Sequence, residues 1–256
     1  MVDRRFSAPV LTAETYFALW AAMIPATTFL VVPAIQGTTP AYLFALAAIP
    51  ASAFSWRFAL SLGVAAAALI TLYCFSQLGL MSAGIHGFGQ LNLVEPDDRS
   101  VTFRRTAFTQ GLYLAACVST FLFVRRHFCD GWMRYVFVGA WLLVAYGLYE
   151  WVFFAVFGRH GDFLGNREFH AGADVHTGSW SQTMSVGPLT LLRLKSFTGE
   201  PSFFALVAVP YLALAVAYER RKLAAALLLT LMLSFSTSAY LGVLAVVALI
   251  SCQRRA

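Results

Sequence analysis

The stretch Arg193-Leu194-Lys195-Ser196-Phe197-Thr198-Gly199-Glu200-Pro201-Ser202 gathers two cations, a carboxylate and hydroxyls just ahead of a long apolar run. Proline suits the first turn of a helix, where its missing N–H would have no partner in any case. A helix that starts near Glu200 turns its free N–H groups and the positive end of its dipole toward this stretch, which makes an anion site. Arg193 and Lys195 add two positive charges there. A phosphate or pyrophosphate fits that arrangement, and so does simple anchoring to lipid phosphates. Glu200 can cap the helix with its own carboxylate or act as general base toward an acceptor hydroxyl. Ser202 adds a hydroxyl within reach of a bound substrate.

Upstream lie His160, His170 and His176, with Asp162, Glu168 and Asp174 between and beside them. No HxxxH or HExxH spacing occurs among them, so a metal site is not expected. His170 is the candidate base or hydrogen-bond donor, with a solvated surface histidine as the alternative. Arg159 and Arg167 can bind phosphate or sugar, or can pair with Asp162 and Glu168. Glu150 stands inside an apolar run, where a carboxylate is expensive and needs a cavity or a partner. Tyr146 lies one helical turn away on the same face. Gln77 and Gln110 offer polar partners from other runs.

The elements that must position these residues are apolar. Of 256 residues, 59% are hydrophobic and only 12% charged. Soluble domains average about 45–50% apolar and about 25% charged. This excess excludes a disordered chain, a disulfide scaffold and a typical cytosolic enzyme, and it points to a lipid-embedded protein. The net charge of +6 does not signal nucleic acid, because the basic residues sit in short clusters between apolar runs. The cysteines, Cys74, Cys117, Cys129 and Cys252, match no zinc or redox spacing and read as small apolar filler. Met1–Arg5 is charged, but no small-residue cleavage site follows, so the first run reads as a retained span.

Apolar runs fall at Thr15–Ala34, Ala41–Ser55, Phe58–Leu80, Ala107–Val124, Tyr135–Phe157, Pro201–Tyr218 and Leu223–Cys252. Eleven of the 18 basic residues fall on alternate connections: Arg4–Arg5, Arg57, Arg125–Arg126 with Arg134, Arg220–Lys222 and Arg254–Arg255. The positive-inside rule places that side in the cytoplasm. The polar stretch Gly158–Glu200, 43 residues long, is then periplasmic. Its Phe163, Leu164, Phe169 and Trp180 predict an ordered segment folded back on the membrane surface. The final run is polar at its centre, Ser234-Phe235-Ser236-Thr237-Ser238, and basic at both ends. Two short helices joined there are preferred over one tilted span. The expected fold is an all-α, polytopic membrane bundle: a single transmembrane domain over 1–256, with about 7–8 spans and one long loop at 158–200.

Two strings together carry a family resemblance: Arg193 to Ala205, and Leu233-Ser234-Phe235-Ser236-Thr237-Ser238-Ala239-Tyr240-Leu241-Gly242. They resemble the O-antigen polymerase/ligase family, whose members carry an arginine shortly before a Gly-Glu-Pro-Ser-like turn that opens a span, and a Ser-rich break in the next apolar stretch. Gln110-Gly111-Leu112-Tyr113-Leu114 is a weaker echo. Many members carry an arginine in the break; here there is none. The resemblance implies a metal-independent, GT-C-like glycosyltransferase of the bacterial inner membrane, without cofactor. It would take an undecaprenyl-diphosphate-linked oligosaccharide as donor and a sugar hydroxyl as acceptor, and could work beside other polysaccharide-assembly proteins. Arg193 is the position that would hold the diphosphate. A transporter of lipid-linked sugar or small solutes, and a non-catalytic membrane subunit of a polysaccharide assembly system, are the alternatives.

Overall fold

The computed structural model describes residues 8–27, 29–32, 38–52, 56–86, 105–163, 183–187 and 189–253. Among them are eight α-helices: α1 (Ala8–Met23), α2 (Pro40–Ser52), α3 (Trp56–His86), α4 (Arg105–His127), α5 (Met133–Phe157), α6 (Pro201–Ala217), α7 (Arg221–Leu233) and α8 (Thr237–Gln253). Two compact units share the chain, one made of Met1–Ala41 with Cys129–Ala256 and the other of Tyr42–Phe128.

In the first unit, α6 packs against both α7 and α8, and α5 packs against α1, α6 and α7. The buried residues of α6 are Pro201, Phe204, Ala205, Ala208, Tyr211, Leu212 and Ala215. Their successive steps of three and one residues make a continuous helical stripe. Leu223, Leu227 and Leu231 of α7 repeat every four residues and complete the core with Leu143 and Val144 of α5. Small residues set the closest approaches. A Cβ on Gly139 of α5 would collide with the carbonyl oxygen of Ala21 on α1, and one on Gly242 of α8 would strike Val209 of α6. Glycine thus lets the α1 and α5 backbones come nearly into contact and lets the Val209 side chain of α6 pack directly on the α8 backbone. Phe17 of α1 also stacks on Trp132, with ring centroids 5.0 Å apart.

Each helix end has a local cause. Gly158 takes the left-handed conformation (φ 62°) and returns its N–H to the Phe154 carbonyl, closing α5. Pro201 opens α6 at its first position, as the sequence predicts. The final apolar run is broken, as the two-helix reading requires: Phe235 takes φ 47° and Ser234 turns its hydroxyl back to the Leu231 carbonyl at 2.6 Å. At about 1.5 Å per residue, the 13 residues of α7 reach about 20 Å, less than the roughly 30 Å of a bilayer core.

The structure corrects three sequence expectations. The first apolar run is helical over Ala8–Met23 and does not continue to Ala34. Pro25 has no N–H to give and disfavours helical torsions at Ile24. The chain then turns and folds back, with the Val31 N–H donating to the Thr38 carbonyl at 2.8 Å. The third run continues to His86, through residues read as connection, because Met81-Ser82-Ala83 contains nothing that stops a helix. Finally, the fold is mostly helical, as expected, but it includes a short hairpin that the sequence reading did not contain. Within the long loop, β1 (Thr183–Val186) pairs antiparallel with β2 (Leu189–Leu192), Thr183 opposite Leu192 and Val186 opposite Leu189. Gly187, at φ 61°, supplies a left-handed turn residue between them.

The second unit comprises most of α2 with α3 and α4. Ser119 of α4 donates its hydroxyl to the Ala45 carbonyl of α2, and Tyr42 and Tyr113 meet with centroids 5.0 Å apart. Two described helices are long and apolar enough to cross a membrane: α3, over Ala59–Ser76, and α5 with its preceding turn, over Asp130–Phe157. None of the Ala59–Ser76 window is buried inside the protein. Leu60, Val64, Ile70, Leu72 and Phe75 all lie at its surface, Phe75 with 68% of its area exposed.

Candidate functional site

One face of α5 carries Leu143, Tyr146, Gly147 and Glu150 at helical spacing, and all four are buried. The segment that leads from β2 into α6 lies across this face. Ser196 takes φ 54°, an uncommon conformation for a residue with a side chain, and its hydroxyl donates to the Leu143 carbonyl at 2.7 Å. Gly147 makes the seat. A Cβ there would come within 2.8 Å of the Leu194 side chain and 3.2 Å of the Ser196 Cβ. Gly147→Val should therefore lower stability by roughly 1–3 kcal/mol, the usual range for overpacking a filled core. Thermal unfolding of the purified protein measures this, and an unchanged midpoint would show that the segment is not seated on α5.

At the centre of the seat is Lys195, only 2% exposed. Its ammonium donates to Glu150 Oε1 at 2.8 Å and to Asp162 Oδ2 at 2.5 Å. The Glu150 and Asp162 side chains are 2% and 8% exposed. Tyr146 donates its hydroxyl to the other Asp162 oxygen at 2.7 Å, and its ring stacks on Phe197 with centroids 4.4 Å apart. Tyr146, Asp162, Lys195 and Glu150 thus form one continuous network from the buried face of α5 to the start of the long loop. Charges so deeply buried need this degree of pairing, since an isolated one costs several kcal/mol even after relaxation. Beside the network, the His160 ring stacks on Phe154. Burial, and then the nearby Lys195 charge, push its pKa below the usual histidine value, against the opposing pull of Asp162.

Arg193 faces a different neighbour. Its guanidinium donates to the carbonyl of Phe235, at the break between α7 and α8, at 3.1 Å. The next residue repeats the connection, with the Leu194 N–H donating to the Leu233 carbonyl at 3.0 Å. Glu200 occupies the N-cap position of α6 by its backbone, in extended conformation, but its carboxylate makes no capping bond. The Ser202 hydroxyl lies 3.4 Å from Glu200 Oε2 instead. Thr198 steadies the turn by donating to the Lys195 carbonyl at 2.6 Å.

No family model, curated protein or solved structure matches this chain.

The structure therefore separates the residues that the sequence grouped together. Arg193 and Lys195, read as two charges on one phosphate, have different roles: Lys195 is enclosed by carboxylates, while Arg193 lies at the helix break. Asp162, read as a partner for Arg159, belongs to Lys195 and Tyr146, and Arg159 is exposed. Glu200 and Ser202 sit together at the mouth of α6. His170 and Arg167 lie outside the described residues, as do Leu164, Phe169 and Trp180. Phe163, expected to be covered, is 71% exposed, although its ring edge meets Tyr146 and Tyr149. It is Gly161 that is half-buried, against Phe153. Sequence reasoning missed Lys195 as the partner of Glu150. The available signal was chemical: a carboxylate this deep in an apolar helix calls for a cation, and the chain has only two lysines. Among the described residues, no three His, Cys, Asp or Glu side chains are grouped to hold a metal ion.

Proposed function

We propose that the protein is an inner-membrane polysaccharide polymerase or ligase, which transfers an undecaprenyl-diphosphate-linked glycan to a sugar hydroxyl in O-antigen or exopolysaccharide synthesis. One observation carries this reading. The two strings that resemble the O-antigen polymerase/ligase family, some 40 residues apart in sequence, are bonded to each other through Arg193–Phe235 and Leu194–Leu233. The exposed apolar helices support a bilayer setting, because a helix that is apolar all round must be covered by protein or by lipid.

In this reading the chain is a multi-pass bundle of 7–8 spans with 158–200 in the periplasm. The acceptor oxygen attacks the anomeric carbon of the donor. The bond from that carbon to the diphosphate oxygen breaks, and the diphosphate leaves with the electron pair. Arg193 meets the leaving charge, strengthening as that charge develops. Glu200, or His170, accepts the acceptor's proton. Ser202, Arg159 and Arg167 contact the glycan or its phosphates. Lys195, already committed to Glu150 and Asp162, positions the segment that presents Arg193.

The test is the glycan ladder of a deletion strain on an immunoblot. The reading expects long chains to vanish on deletion and return on complementation. An unchanged ladder would overturn it. The buried Lys195–Glu150–Asp162 network favours a second reading, transport, since charges within membrane helices often mark substrate or ion pathways. Substitutions in the network that change uptake of a solute and leave glycan lengths unaltered would select it.

The same reading puts Glu219–Lys222 and the C-terminus in the cytoplasm. A reporter fused after Ala256 should be active only in its cytoplasm-reading form. Activity of a periplasm-reading form would replace the helical hairpin at α7–α8 with a single crossing.

A further inference from the structure

At the far end of α6 from Arg193, about 25 Å along the helix axis at about 1.5 Å per residue, lies a cavity of about 550 Å³. One wall is α5, with Arg134, Phe137, Val138 and Trp141; the other is the α6–α7 turn and the start of α7, Glu219 to Leu223. The lining carries four cations, Arg134, Arg220, Arg221 and Lys222, against one anion, Glu219.

We propose that this cavity binds the phosphate of a membrane amphiphile, an anionic phospholipid headgroup. Two of these cations are not placed for the benefit of the fold. Arg221 and Lys222 occupy the first turn of α7, which contains no acidic residue. That is the positive end of the helix dipole, where basic side chains are disfavoured and anions are stabilised. Both side chains are exposed, so they are not held there by burial. Glu219 takes φ 54°, a strained torsion, and the Arg220 N–H reaches back to the Ala215 carbonyl at 2.7 Å. This tight turn aims three consecutive cations at one opening. Arg134 is already bonded to Glu14 at 2.6 Å, and Arg220 lies over the Phe137 ring at 5.6 Å. Arg221 and Lys222 are therefore the contacts offered to a ligand.

The remaining wall selects the class of anion. Phe137 and Trp141 are one helical turn apart, and Trp141 is partly exposed. A tryptophan beside clustered Arg and Lys at a helix end matches the headgroup level of a bilayer. Basic pockets between helices recognise lipid phosphates there. A topology signal alone needs charge in the connection but has no need of convergence on an aromatic-walled cavity.

The test uses the full chain purified in a zwitterionic detergent. It is titrated with short-chain phosphatidylglycerol, with short-chain phosphatidylcholine and with inorganic phosphate, and binding is read from the shift in thermal midpoint. Quenching of Trp141 by a brominated phosphatidylglycerol, compared with a Trp141→Phe variant, locates the ligand. The expected result is saturable binding of phosphatidylglycerol with quenching at Trp141. In a double variant Arg221→Gln/Lys222→Gln, that affinity should fall about twenty-five-fold, each cation at an anionic headgroup contributing roughly a fivefold factor. Arg125→Gln/Arg126→Gln, which removes two cations elsewhere, should leave it unchanged, and Arg221→Lys/Lys222→Arg should retain most of it. Equal protection by inorganic phosphate would overturn the amphiphile and leave a free-phosphate site. Equal response to phosphatidylcholine, or equal losses in the two Gln double variants, would overturn the site altogether.

Discussion

Replacing Lys195 with methionine should lower the thermal midpoint of the purified protein by about 10 °C. The side chain is 2% exposed and lies between two carboxylates that are themselves nearly closed off from solvent. Methionine fills much the same volume, so the loss is electrostatic rather than a cavity. Removing one partner of a buried ion pair costs about 3–5 kcal/mol, because the other charge stays in a medium of low polarisability. In a chain of this size each kcal/mol moves the midpoint by roughly 2–4 °C. The compensating variant separates this cause from loss of packing. Lys195→Met combined with Glu150→Gln and Asp162→Asn removes all three charges together, and a network deleted as a unit is often nearly neutral. Its midpoint should lie close to that of the parent protein. A triple variant as unstable as Lys195→Met would assign the effect to packing instead.

Arg193→Ala should abolish glycan transfer while the protein remains in the membrane at normal abundance. The bond from Arg193 to the Phe235 carbonyl is one hydrogen bond of a half-buried side chain, worth about 1 kcal/mol to the fold. Its proposed contact with the leaving diphosphate is worth more, since it strengthens in the transition state. Losing a comparable donor costs about 2.7–4 kcal/mol, a hundredfold or more in rate. Arg193→Lys should restore only part of the activity, because lysine keeps the charge but lacks the planar fork that holds two phosphate oxygens. An anchor to lipid headgroups behaves differently: alanine would change activity little and lysine would substitute fully. Chain-length distributions on a gel, normalised to protein in the membrane fraction, distinguish the two.

Much of the helix order was legible because it depends on local properties. Apolar runs of sufficient length mark α5 and α6 almost to their ends. Pro201 marks the start of α6, and the polar centre Ser234–Ser238 marks the break before α8. Other features depend on partners distant in sequence. Nothing near Glu150 indicates that its cation lies 45 residues later, because only the fold brings Lys195 across α5. The hairpin Thr183–Leu192 was hidden for a related reason. Its two strands have four residues each, too few for an alternating pattern to emerge in a long polar loop. The end of α1 was misplaced because hydropathy continues past Pro25 while the helical backbone cannot. At the site, residue types were readable but their grouping was not. Arg193 and Lys195 are two positions apart in sequence, yet one bonds the α7–α8 break and the other the buried face of α5.

Reconstitution tests the functional proposal most directly. The full chain is placed in vesicles with an undecaprenyl-diphosphate-linked oligosaccharide and a second lipid-linked sugar as acceptor, and the products are separated by mass. The account predicts a lengthened glycan together with released undecaprenyl diphosphate, both lost with Arg193→Ala. Intact donor after incubation with the folded, membrane-inserted protein would contradict it.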